Sequence, residues 1–264
     1  MYEFIDTHCH LNLNNFDADL HQVLENAYQQ GIHTIVVPGV DLDSSRQAIA
    51  LAEKFDGLFA AVGIHPNYAN LWDENCLPAI KELCSHPKVV AVGEIGLDFY
   101  RDYVSQDEQM KALLPQLELA KECHLPIILH TRSAEKMMLN VLKERIALLG
   151  SNFSGVFHAF EGSLETALEA IQLGFLIGVT GQITYTKNVE NLSVNAALPL
   201  SSLLLETDAP YLTPAPFRGK RNEPANIPII ANKVCGLHGI EMSQLSNITT
   251  ENANKLFLWS LNGE

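Results

Sequence analysis

Short apolar runs, rich in β-branched residues, recur along the chain, and each run ends in polar residues before an amphipathic stretch begins. The eight runs occupy residues 4–10, 34–40, 58–65, 89–98, 126–132, 155–160, 175–183 and 203–210. Stretches between them, such as residues 19–30, 44–54 and 109–121, carry apolar residues at helical spacing. The repeat of about 28 residues is long enough for one strand, one helix and two short loops.

Eight near-continuous apolar strands that alternate with helices predict a parallel sheet covered by helices on one face. Eight such units close into a (β/α)8 TIM barrel of the α/β class. Because such a barrel takes about 250 residues, we predict a single domain over residues 1–264. A doubly wound open sheet is the alternative, but it usually has fewer strands and often a glycine-rich first turn, and no run contains GxGxxG.

The composition of the chain, with 47% apolar and 18% charged residues, is that of a globular protein and excludes collagen-like, coiled-coil and disordered classes. Its five cysteines include no CxxC pair, which favours reduced thiols and a cytoplasmic location. No apolar run reaches the roughly 18 residues of a membrane span. The N-terminus also lacks a secretory signal. We expect no membrane association, and a monomer, since no long apolar surface helix stands out.

The formal net charge of −14 arises from 17 basic and 31 acidic residues. This balance disfavours broad, non-specific adhesion to nucleic acid or anionic lipid. It leaves room for a local site at which bound cations supply the positive charge.

Ionisable side chains stand at the carboxyl ends of six predicted strands. They are His8 and His10, His65, Glu94, His130, His158, and Glu206 with Asp208. In a barrel these ends form one mouth, where the active sites of this fold lie. Residues i and i+2 of a strand face the same side, so His8 and His10 both point into the barrel, and Cys9 between them faces the helices.

Four of these histidines and two carboxylates form a mixed nitrogen and oxygen ligand set that suits Zn²⁺, Mn²⁺ or Mg²⁺. The set is His8, His10, Glu94, His130, His158 and Asp208. Six ligands exceed the need of one tetrahedral ion, so we hypothesise two divalent ions per subunit. One ion takes the first-strand histidines with Asp208, the other takes the histidines of the fifth and sixth strands, and Glu94 bridges the two.

The segments HCH, VGIHP, GEIGLDF, LHTR, FHAF and ETDAP, in this order and spacing, resemble the TatD family of metal-dependent deoxyribonucleases, within the amidohydrolase-like superfamily. The similarity runs from residue 4 to a terminal helix near residues 254–261, and RGKRNEP (218–224) also fits it. The resemblance implies a two-metal centre at the same six positions. Asn12, where many relatives have Asp, and Tyr185, where many have Phe, depart from the family pattern and leave substrate preference less determined than metal binding.

The reaction implied by this resemblance is phosphodiester hydrolysis by a hydroxide held between two cations. Asp208 is the expected proton acceptor, and Glu94 supports catalysis as the bridging ligand. His65 is left outside the ligand set and is expected to contact the phosphate or to hydrogen-bond a ligand.

Substrate phosphates need cationic partners beyond the metals. Arg132 lies two residues past His130, and a basic cluster follows the last strand at Arg218, Lys220 and Arg221. Barrels often bind phosphate at the loops of their last two strands. Glu206 faces inward beside Asp208 and is expected to contact substrate or to orient a ligand histidine. Phe99, Tyr100 and Tyr211 are candidates for stacking on bases.

The function predicted from these features is a deoxyribonuclease that acts exonucleolytically on single-stranded DNA or on 3′ ends. The alternative is a small-molecule hydrolase for amides, esters or phosphoesters, because the metal centre alone does not select the substrate. A third possibility, a non-catalytic binding protein that keeps metal for stability, is disfavoured by the complete ligand set.

Overall fold

Eight parallel strands form one sheet whose order follows the chain. The computed structural model describes residues 2–150, 152–187, 189–257 and 259. The strands are β1 (Phe4–Asp6), β2 (Ile32–Pro38), β3 (Leu58–Val62), β4 (Val89–Asp98), β5 (Ile127–Arg132), β6 (Gly155–His158), β7 (Phe175–Val179) and β8 (Leu203–Leu205). The last strand meets the first, since Thr7 N donates to Leu205 O at 3.1 Å. The sheet therefore closes into the predicted (β/α)8 barrel.

Helices follow the strands and cover the outside of the barrel. In the described part of the chain they are α1 (Leu20–Gln29), α2 (Leu42–Lys54), α3 (Cys76–Cys84), α4 (Gln106–Glu122), α5 (Glu135–Leu149), α6 (Leu164–Gln172), α7 (Val189–Ala197), α8 (Ile227–His238) and α9 (Met242–Phe257). Capping boxes begin two of them, with Asp41 before α2 and Ser105 before α4. Such caps satisfy backbone N–H groups that the first helical turn leaves free.

Burial on both faces explains why the strands read as continuous apolar runs. All ten residues of β4 are buried, as expected for a sheet with a packed interior and a cover of helices. An apolar layer lies directly below the polar mouth, because Ile128, Val156 and Leu204 each stand two residues before an ionisable one. The end of α9 packs against this layer through Phe257. The mouth is therefore polar above a closed apolar floor.

The structure bears on three further predictions, which concern the terminal helix, the cysteines and a membrane-spanning helix. Helix α9 covers the start of the predicted terminal helix, whereas residues 258 and 260–264 lie outside the described residues. All five cysteines are free. Among the described helices, none has the length and apolar character needed to cross a bilayer.

Asp6 ties the first strand to the eighth beneath the mouth. Its fully buried carboxylate accepts hydrogen bonds from Thr207 N at 2.9 Å and Thr207 Oγ1 at 2.6 Å. It also accepts one from His8 N at 3.3 Å. One side chain thus positions the two segments that carry His8 and Asp208.

Replacing Asp6 should therefore weaken the contact between β1 and the segment after β8, where the barrel closes. We expect Asp6→Ala to lower the free energy of unfolding by about 3 kcal/mol, because it leaves buried hydrogen-bond donors without an acceptor. Asp6→Asn should lower it less, because the amide keeps one acceptor oxygen. Urea denaturation followed by circular dichroism measures both, with the exposed Asp102→Ala as the control. A midpoint for Asp6→Ala equal to that of the wild-type protein would contradict this role.

Candidate metal centre

His8 and His10 lie beyond the end of β1, not within the strand as the HxH pattern predicts. The segment stays extended because Cys9 forms a parallel bridge with Ala209 and His10 N donates to Ala209 O at 2.8 Å. The two imidazoles still turn inward, with their Nε2 atoms 3.2 Å apart. Cys9 is fully buried between them, as expected.

Glu94 occupies the middle of the site, with only 3% of its side chain exposed. Its Oε2 lies 3.5 Å from His8 Nε2 and 3.7 Å from His10 Nε2. Its Oε1 lies 2.7 Å from His130 Nδ1 and 3.5 Å from His65 Nε2. His158 Nε2 lies 3.8 Å from Oε1 as well, so one carboxylate faces five histidines.

The approach of β4 to β5 depends on glycine beside this carboxylate. A Cβ atom on Gly96, which has a φ of +150°, would stand 1.9 Å from His130 O. One on Gly93 would stand 2.7 Å from Ile128 Cβ. The GEIG sequence thus allows Glu94 and His130 to come together.

Asp208 completes the other side of the site. Its Oδ1 lies 3.4 Å from His10 Nε2, 3.7 Å from His158 Nε2 and 3.8 Å from His8 Nε2. Its backbone adopts a left-handed conformation with a φ of +53°. A non-glycine residue rarely takes this conformation, and such strain tends to accumulate at functional sites.

Two further carboxylates stand behind the inward-facing histidines. Glu206, fully buried, has its Oε1 3.0 Å from His158 Nδ1 and also accepts Ala159 N. This position fits the orientation of a ligand histidine and gives no access to substrate. Asp98 Oδ2 lies 3.3 Å from His130 Nε2, and sequence reasoning missed it. Asp98 could have been found, because it stands four residues after Glu94 on the same strand and so faces the same side.

These carboxylates control the protonation of the histidines. Burial alone would lower the pKa of His158, but the charges of Glu206 and Asp208 raise it to about 10. His130 behaves similarly, since hydrogen bonds to Asp98 and Glu94 outweigh burial and raise its pKa to about 9. Burial and the neighbouring His158 lower the pKa of His8 to about 4. Burial opposes ionisation of Glu94, but the surrounding histidines hold its pKa well below the usual range.

The donor set fits divalent cations. Three groups of side chains offer ligand atoms that lie within 4.8 Å of one another: His8, His158 and Asp208; His8, His10 and Glu94; and His65, Glu94 and His130. Among the described residues, no lysine or arginine pairs with Glu94 or Asp208 within 4.0 Å. Buried carboxylates need a counter-charge, and mixed imidazole and carboxylate ligands suit metals such as Zn²⁺ and Mn²⁺.

The distances between side chains also group the candidate ligands in ways that the sequence-based hypothesis does not include, and the division between two ions stays a prediction. The His158 ring centre lies 3.4 Å from that of His8, and its Nε2 lies 3.7 Å from Asp208 Oδ1 and 3.8 Å from Glu94 Oε1. His130 instead faces His65, with ring centres 4.3 Å apart. His65, which the hypothesis left outside the ligand set, lies close enough to Glu94 and His130 to share a cation with them. Its position at the end of β3 carried the same signal as the other strand ends.

Basic side chains around the mouth divide into free and paired ones. In the described part of the chain, Arg132, Arg218 and Lys220 have no carboxylate within 4.0 Å. The guanidinium of Arg132 lies 3.9 Å from the ring centre of Tyr100, and that of Arg218 lies 4.0 Å from Tyr185. The free cations are therefore held by aromatic rings.

Arg221 does not belong to this free group, contrary to expectation. Its guanidinium donates to both oxygens of Asp19, at 2.8 and 2.7 Å, and to Glu223 at 2.9 Å. A bidentate pair of this kind holds the side chain in place. Arg221 is therefore a structural cation.

Two residues that depart from the family pattern have structural contacts. Asn12 Nδ2 donates to Pro38 O and to Ser44 O, each at 3.0 Å, and so ties the segment after β1 to the start of α2. The hydroxyl of Tyr185 donates to Thr213 O at 3.0 Å. Phe99, a candidate for base stacking, is half-buried and packs against the main core.

Comparison with known proteins agrees with this geometry. A family model described as "TatD related DNase" matches residues 5–258. The chain is 40% identical to the uncharacterized metal-dependent hydrolase YabD of Bacillus subtilis, covering 96% of this chain and 98% of that protein. It is 35% identical to the 3′-5′ ssDNA/RNA exonuclease TatD of Klebsiella pneumoniae, covering 98% and 99%. The crystal structure of the Escherichia coli TatD homolog YjjV superposes with a TM-score of 0.90 at 37% identity, covering 97% and 98%.

Cation binding should release protons. At pH 7 the raised pKa values of His130 and His158 keep both protonated without metal, and a cation must displace those protons. Titration calorimetry with Zn²⁺ in buffers of different ionisation enthalpy should show net proton release, and the affinity should increase between pH 7 and 9. His158→Asn should release fewer protons, whereas His86→Asn, a half-buried residue before β4 that pairs with Glu53, should match the wild type. Heats independent of the buffer would contradict the assignment.

Proposed function

Because the chain belongs to the family of TatD-related DNases, we propose that it is a metal-dependent nuclease that removes nucleotides from the ends of single-stranded DNA. The observation that carries this proposal is Glu94, whose carboxylate faces five histidines beneath a mouth where, among the described residues, Arg132 and Arg218 have no carboxylate partner. Relatives such as the Klebsiella protein are named 3′-5′ ssDNA/RNA exonucleases, which supports a nucleic-acid substrate.

Two divalent cations fit the donor set better than one. His8, His10, His158 and Asp208 would hold the first, His65 and His130 would hold the second, and Glu94 would be shared. When bound, the cations would supply a water nucleophile at neutral pH and would neutralise charge that develops on the phosphate. Glu206 and Asp98 would keep the imidazoles of His158 and His130 oriented towards the ions.

Asp208 is the side chain placed to accept the proton of the attacking water. Its side chain is 13% exposed, against 3% for Glu94, so it reaches the open side of the site. Burial opposes its ionisation, but the hydrogen bond from His10 and the charge of His158 keep its pKa below the usual value. It is therefore ionised at neutral pH, which is the state that a proton acceptor requires. Glu94 is too enclosed by histidines for this task.

We assign substrate binding to three basic side chains at the edge of the mouth, which we call the rim cations. Arg132, Arg218 and Lys220 can pair with phosphates, because in the described residues no carboxylate neutralises them. The chain carries a net charge of −14, so attraction for a polyanion is confined to the mouth. This favours a phosphodiester polymer over the alternative, a neutral amide or ester.

The assembly and location follow from the same features. Six strand ends of a single chain supply the whole ligand set, so a partner subunit is not required for the site. The five free cysteines suit a reducing compartment. We accordingly propose a monomer that acts in the cytoplasm.

The nuclease activity should depend on added metal. Protein reconstituted with Mg²⁺ or Mn²⁺ should shorten an end-labelled single-stranded oligonucleotide progressively, and EDTA should stop the reaction. Gel sizing of the products gives the polarity, and a blunt duplex of the same sequence should be degraded more slowly. Intact oligonucleotide together with rapid hydrolysis of a neutral ester would favour the small-molecule alternative.

Loss of a rim cation should weaken binding more than it slows chemistry. Arg132→Gln or Arg218→Gln should increase KM about tenfold, as expected for the loss of a charge-assisted contact, with little change in kcat. The slope of affinity against salt should also fall by about 0.7 for each lost phosphate contact. Lys54→Gln, which removes the same charge at the opposite end of the barrel, is the matched control. Equal effects of all three variants would argue against a specific phosphate contact.

A further inference from the structure

Tyrosines are exposed around the mouth to an unusual degree. Five of the seven tyrosines are exposed, and four of these five follow the carboxyl ends of β3, β4 and β8. These four are Tyr68, Tyr100, Tyr103 and Tyr211. Large exposed rings gathered beside a site are a sign of a binding surface, because isolated ones would be scattered over the molecule.

Tyr68 and Tyr211 are held at a set distance from the metal site by similar turns. Tyr68 N donates to His65 O at 2.9 Å, and Tyr211 N donates to Asp208 O at 2.8 Å. The carbonyl of Tyr211 also accepts the side chain of the fully buried Asn222 at 2.7 Å. Each tyrosine is therefore the third residue after a member of the site and is fixed to it through the backbone.

Both rings stand nearly perpendicular to an inward-facing imidazole. The Tyr68 ring centre lies 6.3 Å from that of His65, at an interplanar angle of 73°. The Tyr211 ring centre lies 6.1 Å from that of His10, at 72°. Tyr68 and Tyr211 are 42% and 54% exposed, so they border the metal site and remain open to solvent.

The other exposed tyrosines of the mouth are already engaged. Arg132 lies over the ring of Tyr100 at 3.9 Å, and the Tyr103 hydroxyl accepts from Arg101 at 3.1 Å. Among the described residues, no cation lies over the ring of Tyr68 or Tyr211. Their surfaces are available for a planar group.

We propose that Tyr68 and Tyr211 bind the nucleobase of the terminal nucleotide, and that this stacking selects ends whose last base is unpaired. The inference rests on the nuclease function proposed above. A pocket for a small apolar substrate encloses most of its ligand, whereas these open rings suit a flat group on a chain that continues into solvent. Stacking on aromatic rings tolerates every base, because each has a π-face. A base inside a duplex must first be unstacked and unpaired.

Oligonucleotides with and without a terminal base test this inference. The substrates are one single strand with natural ends and the same strand with a tetrahydrofuran abasic residue at the 3′ or at the 5′ end. We expect the wild-type, metal-loaded protein to release the natural terminal nucleotide about tenfold faster, in kcat/KM, than the abasic one at the end where it acts. Tyr68→Leu and Tyr211→Leu should bring this ratio towards one, whereas the corresponding Phe variants, which keep the ring, should preserve it.

Tyr2→Leu is the matched control, because Tyr2 is 49% exposed and precedes β1 at the far end of the barrel. Metal content and the thermal midpoint are measured for every variant, and the comparison on wild-type protein needs no variant at all. Equal rates on natural and abasic ends, or Leu variants that slow both substrates equally, would overturn the base-binding role. If no oligonucleotide is cleaved, the nuclease function itself fails, and this inference fails with it.

Discussion

The site depends on the buried negative charge of Glu94, which no lysine or arginine within the described part of the chain neutralises. Glu94 lies within 4 Å of five histidines and is almost completely shielded from water. A carboxylate in such a place is stable only with protons on its neighbours or with cations between them. The raised pKa values of His130 and His158 favour protons on these neighbours. The converging ligand atoms favour the binding of cations. Protons and metal ions therefore compete for one arrangement of side chains.

Contacts with the surrounding barrel hold these side chains close together. An apolar layer closes the floor below them, Asp6 joins the first and eighth strands, and Glu206 and Asp98 stand behind two of the histidines. Left-handed backbone at Asp208 indicates that the surrounding contacts outweigh local preference there. The ligands are thus positioned mainly by the fold and only secondarily by one another, which is the condition for a site that binds ions without large rearrangement.

Charge is distributed so that the mouth differs from the remaining surface. The acidic chain repels polyanions in general, whereas Arg132 and Arg218 rest on aromatic rings and have no carboxylate partner among the residues that the structure describes. Arg221, close in sequence to Arg218, is neutralised by Asp19 and Glu223. Whether a basic side chain can bind substrate or is held in a structural ion pair depends on which carboxylates the fold brings near it. Basic residues that are close in the sequence can therefore have different roles.

The sequence by itself determined the barrel and the positions of most ionisable groups, because hydrophobic periodicity and strand-end polarity are local patterns that each segment carries alone. It also led to the prediction that two ions share Glu94. The tertiary structure decided which histidines become neighbours: His65 with His130, and His158 with His8. It decided as well that Asp98 supports a histidine and that Arg221 is occupied. These relations join residues far apart in the chain, and they are set by strand tilt and by register across the barrel, which no single segment encodes.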